Sequence, residues 1–416
     1  MVCGAICRWA CGKADSLSLP YGFTVAAKKK VIRRKICGEY FVYLPHILRR
    51  MLYIHQLPDW PKFIWDPASV LSPLGMVRHL QGRLSGKMIT LGFGLQQDAE
   101  LETLTQDVLK SNDIEGEFLD PGQVRSSIAR RLGMDISGLP PSDRYIDGVV
   151  DVMMDATKNS NQPLSKERLF DWHAALFPTG RSGMYKIMVA GWRNDVTGPM
   201  EVVSGGIGRE RVHFQAPAAA VLEKEMDVFI QWFNREDSLD PVIKAAIAHL
   251  WFITLHPFDD GNGRIARAIA DMQLSKAEGP FRRFYSMSAQ IRKERNRYYA
   301  ILESTQKGDL DITEWLVWFL HCLNSALQNT DSMLAQVLTK ANFWDKHRNT
   351  NLNDRQRLML NKLFDGFEGK LNTSKWAKIA KCSADTALRD IQDLMNKGIL
   401  QKAADGGRNT NYDLLT

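Results

Sequence analysis

Residues 242–267 read VIKAAIAHLWFITLHPFDDGNGRIAR, and in this stretch an apolar segment runs directly into a group of chemically active residues. The segment 242–255 is apolar on nearly every face, which predicts a buried central helix. Asp240 and Pro241 give that helix a carboxylate cap and a proline at its first position. The following proline, Pro257, disfavours a helical conformation at His256, so the helix is expected to end there.

The twelve residues after this helix combine the parts that phosphoryl and nucleotidyl transfer require. A histidine whose ordinary pKa lies near ~6.5 can remove a proton from a hydroxyl at neutral pH. Asp260 offers the hard oxygen ligand that Mg²⁺ prefers beside substrate phosphates. The run 261–263 opens a second helix, whose free N–H groups form an anion nest. Arg264 and Arg267 on its first turn can direct guanidinium groups at the same phosphates.

Each of these residues is ordinary by itself, since a histidine beside a proline is commonly structural and a Gly-x-Gly turn into a helix is weak evidence. Their conjunction is specific: HPFDDGNGRIAR at 256–267 resembles the signature HPFx(D/E)GNGRxxR of the Fic family of protein AMP transferases, with every specified position filled. The resemblance implies a mainly α fold, namely a Fic-type helical core with a β-hairpin flap. It also implies ATP as substrate and a target protein whose Ser, Thr or Tyr hydroxyl attacks the α-phosphate, with pyrophosphate leaving.

The resemblance also implies a role for each residue of the signature. His256 is expected to be the general base, Asp260 to hold Mg²⁺, and Arg267 to contact the γ-phosphate end. The other phosphate contacts are expected from the backbone of Gly261, Asn262, Gly263 and Arg264 and from the side chain of Asn262.

Two further segments extend the likeness over about residues 51–330. The hairpin near 200–214 looks like the Fic flap, whose edge strand aligns target backbone by strand addition; the alternative is a small structural hairpin. The segment 292–310 resembles the family's adenine-side helix and would bring Tyr299 and Gln306 near the base, although adjacent tyrosines are otherwise common in cores. Flap residues expected at the nucleotide are Val202, Val203, Ser204 and Gly205.

Upstream, KSNDIEGE at 110–117 looks like the family's inhibitory motif (S/T)xxxE(G/N), which would consist here of Ser111, Glu115 and Gly116. On a helix, Ser111 and Glu115 share one face at i and i+4. In the family such a glutamate pairs with the last arginine of the signature, here Arg267. One guanidinium group cannot serve both a carboxylate and a phosphate, so the resemblance implies autoinhibition. Some relatives also remove AMP with this glutamate, and the sequence leaves that activity open.

Composition shifts and the spacing of apolar residues divide the chain into four parts. Residues 1–50 form a basic extension outside any domain, and 51–140 a helical domain with the inhibitory motif. The Fic core is expected at 141–340 and a C-terminal module at 354–416. The polar stretch 341–353 is the expected linker.

The extension carries ten Lys or Arg against two acidic residues, a net of +8, which leaves −1 for the other 366 residues. The basic charge therefore says little about what the folded body binds. Cys3, Cys7 and Cys11 lack a fourth nearby partner, so metal binding there is not favoured. One hypothesis is that the segment results from translation upstream of a true start at Met51. The few cysteines beyond it and the lack of an apolar run of ~18 residues predict a cytoplasmic protein without a membrane span.

The C-terminal module reads helix, helix, helix and β-wing, which resembles a winged helix-turn-helix. Residues 351–416 hold eleven Lys or Arg and eight Asp or Glu, a weak footprint for DNA. Target docking or a homodimer contact is therefore favoured, and DNA binding by a nucleotide-sensing regulator stays an alternative. A kinase or a phosphocholine transferase on the same scaffold is another. The residues expected on the recognition helix and wing are Thr386, Arg389, Asp390, Asp393 and Arg408.

Overall fold

The computed structural model of this chain is mainly helical, with three small antiparallel hairpins among the residues it describes. Residues 1–51, with the basic extension and its cysteines, and Arg408 of the expected wing lie outside the described part. The described residues are 52–134, 139–196, 198–205, 209, 211–236, 238–279, 283–364, 367, 369–403 and 410–415.

The elements follow one another in three groups, after a short 3₁₀ turn at Ile54–Gln56. The first group is α1 (Pro67–Ile89), α2 (Phe93–Glu115), α3 (Pro121–Arg131), α4 (Arg144–Lys158) and α5 (Lys166–Leu176). The second is β1 (Arg181–Ser182), β2 (Tyr185–Lys186), β3 (Glu201–Ser204), β4 (Arg211–Gln215), α6 (Ala219–Asn234), α7 (Pro241–Leu255), α8 (Asn262–Ala277), α9 (Met287–Lys293), α10 (Arg295–Gln306) and α11 (Thr313–Lys346). The third is α12 (Asp354–Phe364), α13 (Thr373–Ile379), α14 (Ala384–Asn396), β5 (Leu400–Lys402) and β6 (Tyr412–Leu414).

Three helices, α1, α3 and α7, begin with a proline behind an aspartate cap. The carboxylates of Asp66, Asp120 and Asp240 each accept a hydrogen bond from a backbone N–H of the first turn. Proline fits there because its missing N–H would have no partner inside the helix. The aspartate cap and the proline together fix the residue at which each of these helices begins.

Helix α7 lies at the centre of the main core, as its apolar sequence predicts. Every residue from Val242 to Leu255 is buried, and α8 packs along it, while α4 and α2 pack on α8. Helices α1 and α11 pack together on the outside of the same core. The signature therefore sits at the junction of two buried helices, where its atoms are held in place by close packing.

The run YKIMVAGW at 185–192 has a β-like sequence, but only Tyr185–Lys186 at its start forms a strand. The backbone N–H of Met188 donates to Asp259 Oδ2 at 2.8 Å, and that of Arg193 to the carbonyl of Pro257 at 2.9 Å. The segment thus hydrogen-bonds with the signature loop, and tertiary contacts override its β propensity.

The prediction of a linker at 341–353 is wrong for residues 341–346, because α11 continues through Lys346. Its last turns carry Phe343, which is 4% exposed and packs in a second, C-terminal core with Trp376 and Ile391. Phe343 is followed directly by Trp344, and two adjacent apolar residues among polar ones give little helical periodicity, which is why the sequence predicted an irregular stretch.

Helices α12 to α14 and the β5–β6 hairpin lie where the sequence placed the helices and wing of the C-terminal module. Of the two acidic residues expected on the recognition helix, Asp390 is buried, whereas the side chain of Asp393 stays 46% exposed. Asp390 accepts from Arg355 Nε at 2.7 Å, and Asp393 accepts from Gln356 Nε2 at 2.7 Å. These hydrogen bonds join α14 to α12. Across the described chain, no helix is both long and apolar enough to cross a bilayer.

Candidate functional site

The break between α7 and α8 places His256 at the mouth of the buried helix. His256 caps α7 in the left-handed conformation, with φ 48° and ψ 55°, and its side chain is buried. Its Nδ1 lies 3.2 Å from the carbonyl of Ile253. Because a carbonyl only accepts, Nδ1 carries the hydrogen, and Nε2 keeps its lone pair for proton transfer.

The charge state of His256 suits a base. Burial, followed by the positive charge of Arg193, lowers the pKa of His256 to about 4. The imidazole is therefore neutral at pH 7.

Asp260 stands at the opposite side of the same loop. Its Oδ2 accepts from Ser182 Oγ at 2.5 Å, and its Oδ1 from the N–H of Gly261 at 2.6 Å. Among the described residues, no three His, Cys, Asp or Glu side chains group together as a metal site. A lone oriented carboxylate fits Mg²⁺ only where substrate phosphates supply further oxygens, which is how this ion is commonly bound.

The two glycines of this loop lie too close to neighbouring side chains to leave room for a Cβ atom. Gly261 has φ 79°, and a Cβ there would meet the ring of Phe177 at 2.9 Å. At Gly263 a Cβ would lie 2.2 Å from Oε1 of Glu115. The carboxylate of Glu115 therefore lies against the N-terminal turn of α8, the positive end of the helix dipole, where an anion binds.

Arg267 is the residue that this carboxylate engages. Its Nη2 lies 2.7 Å from Glu115 Oε1 and 2.9 Å from the carbonyl of Ser111, and its Nε lies 2.9 Å from Ser111 Oγ. Burial by itself would lower the pKa of Arg267, but the charge and hydrogen bond of Glu115, together with the nearby Tyr298 and Tyr299, raise it. The third nitrogen, Nη1, is buried and has no hydrogen-bond partner among the described residues. That nitrogen is available to a further anion.

Arg264 is held by a residue that the sequence analysis missed. Its Nη1 lies 2.7 Å from Glu117 Oε2 and 3.0 Å from the hydroxyl of Tyr145, and its guanidinium stacks 5.1 Å above the ring of Phe177. Glu117 follows the expected inhibitory glutamate by two residues. Residues 111–117 thus engage both arginines of the signature.

The side chain of Asn262 hydrogen-bonds with the backbone of the signature loop. Its Oδ1 accepts from the N–H of Phe258 at 2.9 Å, and its Nδ2 donates to the carbonyl of Phe258 at 2.8 Å. In this structure the amide braces the loop between α7 and α8, because both of its polar atoms already serve the loop backbone.

A cavity of about 370 Å³ opens at this junction. It brings together His256, Asp260, the start of α8, the β3–β4 hairpin and one face of α10. Gly205, Ser111, Gly116, Arg264 and Arg267 lie outside its wall. The lining residues are Glu115, Val202, Val203, Ser204, His213, Phe214, Ile253, His256, Asp260, Gly261, Asn262, Gly263, Arg295, Asn296, Tyr298, Tyr299, Ala300, Leu302, Glu303 and Gln306.

One end of the cavity is shaped by α10. Tyr299 stacks under the guanidinium of Arg295 at 5.0 Å, and Gln306 Nε2 lies 3.2 Å from Thr254 Oγ1. The same face of α10 carries Glu303, which binds His213 of β4. Neither Glu303 nor His213 was singled out by the sequence, because their contact joins positions 90 residues apart.

Comparison with known proteins divides the chain into two matched regions. Residues 53–134 match a domain of unknown function, DUF4172, and residues 163–274 match the Fic/DOC family. A Fic family protein from Desulfovibrio desulfuricans G20 has a similar fold, with a TM-score of 0.50 and 18% identity, over 85% of this chain and 98% of that one.

Curated relatives are more similar in sequence. The protein adenylyltransferase Fic of Culex quinquefasciatus is 28% identical over 236 residues, which is 53% of this chain and 40% of that protein. The protein of the same name from Drosophila yakuba is 26% identical over 232 residues, which is 52% of this chain and 40% of that protein. The match thus spans less than half the length of these relatives.

Proposed function

Because the chain carries a domain of the Fic/DOC family at residues 163–274, we propose that it moves AMP from ATP to a Ser, Thr or Tyr hydroxyl of a target protein. The observation that carries the proposal is the single cavity shared by neutral His256, Asp260 and the N-terminus of α8. A base, a metal-binding carboxylate and an anion site are the parts that this transfer needs. The relatives named protein adenylyltransferase support the same reaction.

In this proposal Nε2 of His256 takes the proton of the target hydroxyl. The hydroxyl oxygen forms a bond to the α-phosphorus of ATP, the bond between that phosphorus and the bridging oxygen breaks, and pyrophosphate leaves. Mg²⁺ held by Asp260 would offset the charge of the phosphates. Ser182 orients the carboxylate of Asp260 through its hydrogen bond at 2.5 Å.

The wall of the cavity suits the other parts of ATP. Ile253, Leu302 and Tyr299 give one end an apolar surface for a flat base, and Gln306 adds an amide that can donate and accept. Elsewhere in the wall, the start of α8 at Asn262 and Gly263 suits phosphate oxygens through its backbone N–H groups.

The β3–β4 hairpin suits the target. Its two strands pair only with each other among the described residues, so each keeps an edge with open backbone groups. An extended target segment could add to such an edge through backbone hydrogen bonds. The cavity wall includes Val202, Val203 and Ser204, so an added segment would lie beside the phosphates.

We further propose that the chain is autoinhibited in the described state. Glu115 lies at the start of α8 and binds Arg267 at 2.7 Å, so a γ-phosphate would have to displace it. Glu117 engages Arg264 in the same way at 2.7 Å. Two carboxylates of one segment thus take the contacts that the triphosphate requires.

The direct test incubates the Glu115→Gly variant with ATP and a cell lysate and reads the modified proteins by mass spectrometry. An added adenylyl mass on a Ser, Thr or Tyr residue supports the proposal. An added phosphate or phosphocholine mass points instead to another transfer on this scaffold. The matched control carries His256→Ala in the same background, and adducts that persist in it would remove the assigned base.

A further inference from the structure

The β3–β4 hairpin packs on its own small apolar cluster, separate from the main core. Met200, Phe214 and Ala216 form this cluster with partly buried Tyr53 and Val202. Helix α10, in contrast, belongs to the main core through Tyr298 and Leu302. The cluster contains no residue of α10, so polar contacts between the hairpin and α10 contribute to their alignment.

His213 supplies this contact from the middle of β4. Its Nε2 lies 2.5 Å from Ser204 Oγ on β3, and its Nδ1 lies 2.6 Å from Glu303 Oε2 on α10. A carboxylate only accepts, so Nδ1 donates the hydrogen to Glu303. One imidazole thus ties both strands of the hairpin to the helix.

Glu303, the partner of His213 on α10, is charged and is held in place by several basic groups. Burial by itself would raise the pKa of Glu303, but the hydrogen bonds and charges of Lys307 and His213 together lower it to about 2, so the carboxylate stays charged. Lys307 Nζ lies 2.6 Å and Arg211 Nη2 3.1 Å from its Oε1. Two basic groups and His213 therefore surround one carboxylate at the cavity wall.

Glu303 lies on the same face of α10 as the two residues expected at the nucleobase. Tyr299, Glu303 and Gln306 are spaced at i, i+4 and i+7, and all three line the cavity. The hairpin and the base-binding face are thereby joined through a single side chain. A displacement of the hairpin would change the position of a bound target relative to the α-phosphate.

We propose that His213 is a positioning residue for AMP transfer, which aligns the target-binding hairpin with the nucleotide through Glu303. This inference rests on the proposed function. A misplacement of about 1 Å between reacting groups can cost on the order of 100-fold in rate. Loss of the contact should therefore reduce transfer to a target and leave ATP binding nearly unchanged.

Two variants of His213 separate its two hydrogen bonds. In His213→Asn the amide nitrogen takes the place of Nδ1 and can keep the bond to Glu303. In His213→Gln the amide reaches the position of Nε2 and can keep only the bond to Ser204. The assay uses the target protein identified in the lysate experiment. In the Glu115→Gly background, we expect kcat/KM for this protein to fall about 10- to 100-fold in His213→Gln and less than about threefold in His213→Asn.

Two further measurements distinguish positioning from a general loss of structure. The Kd for α,β-methylene-ATP, by calorimetry, should change less than about twofold in both variants. Amide hydrogen exchange at 201–204 and 211–215 should quicken in His213→Gln and not in His213→Asn. Combining His213→Gln with Glu303→Gln should cost little more than either change alone, because both break one contact.

The outcomes separate this inference from the function on which it rests. If Glu115→Gly transfers AMP and His213→Gln transfers it equally well, the positioning role is wrong and the function stands. Equal losses in the Asn and Gln variants, or weaker nucleotide binding in both, would also overturn it. If Glu115→Gly with an intact His213 transfers no AMP, the proposed function fails, and the positioning role with it.

Discussion

Glu115 and Arg267 meet at the N-terminus of α8, with 2.7 Å between Oε1 and Nη2, and the same Oε1 lies where a Cβ on Gly263 would stand. The carboxylate thus takes both features that attract a phosphate there, the guanidinium and the open end of the helix. The contact joins residues 152 positions apart and links α2 to the signature.

Replacing Glu115 with glycine should raise auto-AMPylation about 10- to 100-fold, because a charge-assisted hydrogen bond of about 1.5–3 kcal/mol no longer competes with ATP. The measurement is incorporation of labelled AMP into the chain. Asp113→Asn is the matched control, since Asp113 lies on the same helix and pairs only locally with Lys110 among the contacts described. Equal labelling by the wild type and the glycine variant would contradict autoinhibition.

Removing Glu117 should add to this effect by freeing Arg264. In the Glu115→Gly background, Glu117→Gln keeps the shape of the side chain and loses its charge, so we expect transfer to rise by a further factor of about 3 to 10. Tyr145→Phe is the comparison, since it removes the hydroxyl 3.0 Å from Arg264 and leaves the carboxylate. A fall in transfer on removing Glu117 would show that this residue orients Arg264 for catalysis.

Gly263→Ala should act through Glu115. Its Cβ would stand 2.2 Å from Glu115 Oε1, so the substitution should destabilise the wild type by about 1–3 kcal/mol. In the Glu115→Gly background the same change meets no carboxylate and should cost much less. Urea unfolding of the four proteins gives the coupling free energy. A coupling near zero would mean that the carboxylate does not rest on the helix end in solution.

His256→Ala should abolish transfer while the chain stays folded. A positioned base contributes about 10²- to 10⁴-fold, and alanine offers no replacement. Since the pKa of His256 lies at about 4, the neutral base is present throughout the neutral range. The transfer rate should therefore show no loss of this base between pH 6 and 8, and should fall only as the pH approaches that pKa. An inflection near pH 6.5 assigned to His256 would show that the imidazole is solvated during turnover.

The buried His249 should also lower the free energy of unfolding in mild acid. Burial, followed by the charge of Arg267, lowers the pKa of His249 to about 3, below the ordinary value near 6.5. The unfolded chain then binds a proton that the folded chain excludes. Stability from this group is complete above pH 6.5 and declines as the pH falls towards the folded pKa, by about 1.4 kcal/mol per pH unit.

The variant that tests this is His249→Gln, whose amide can keep the contact with Tyr298 that Nε2 makes at 2.8 Å. The slope of the unfolding free energy against pH, between pH 5 and 6, should decrease by about 1.4 kcal/mol per pH unit relative to the wild type. An unchanged slope would mean that His249 is protonated in the folded chain.

Local chemistry accounts for what the sequence predicted well. The apolar run of α7 and Pro257 place the helix end at His256, and the i, i+4 spacing of Ser111 and Glu115 puts both on the face that meets Arg267. A cap, a proline or a helical period each acts within a few residues. Such features can be read from a single stretch of chain.

What the sequence did not reveal depends on distant partners. Glu117 binds Arg264 across 147 positions, and His213 binds Glu303 across 90. No periodicity links such pairs, and each residue alone looks like a surface charge. The signature also did not show that both polar atoms of the Asn262 amide bond to the backbone of Phe258, because a signature records residue types and not their partners in the folded loop.

The unbroken course of α11 has a mechanical consequence. This helix packs on α1 and α2 at one end and contributes Phe343 to the C-terminal core at the other. No loop interrupts it between Thr313 and Lys346. A force applied to α12–α14 by a docked protein would thus be transmitted through one continuous helix to α2, the helix that ends in Glu115.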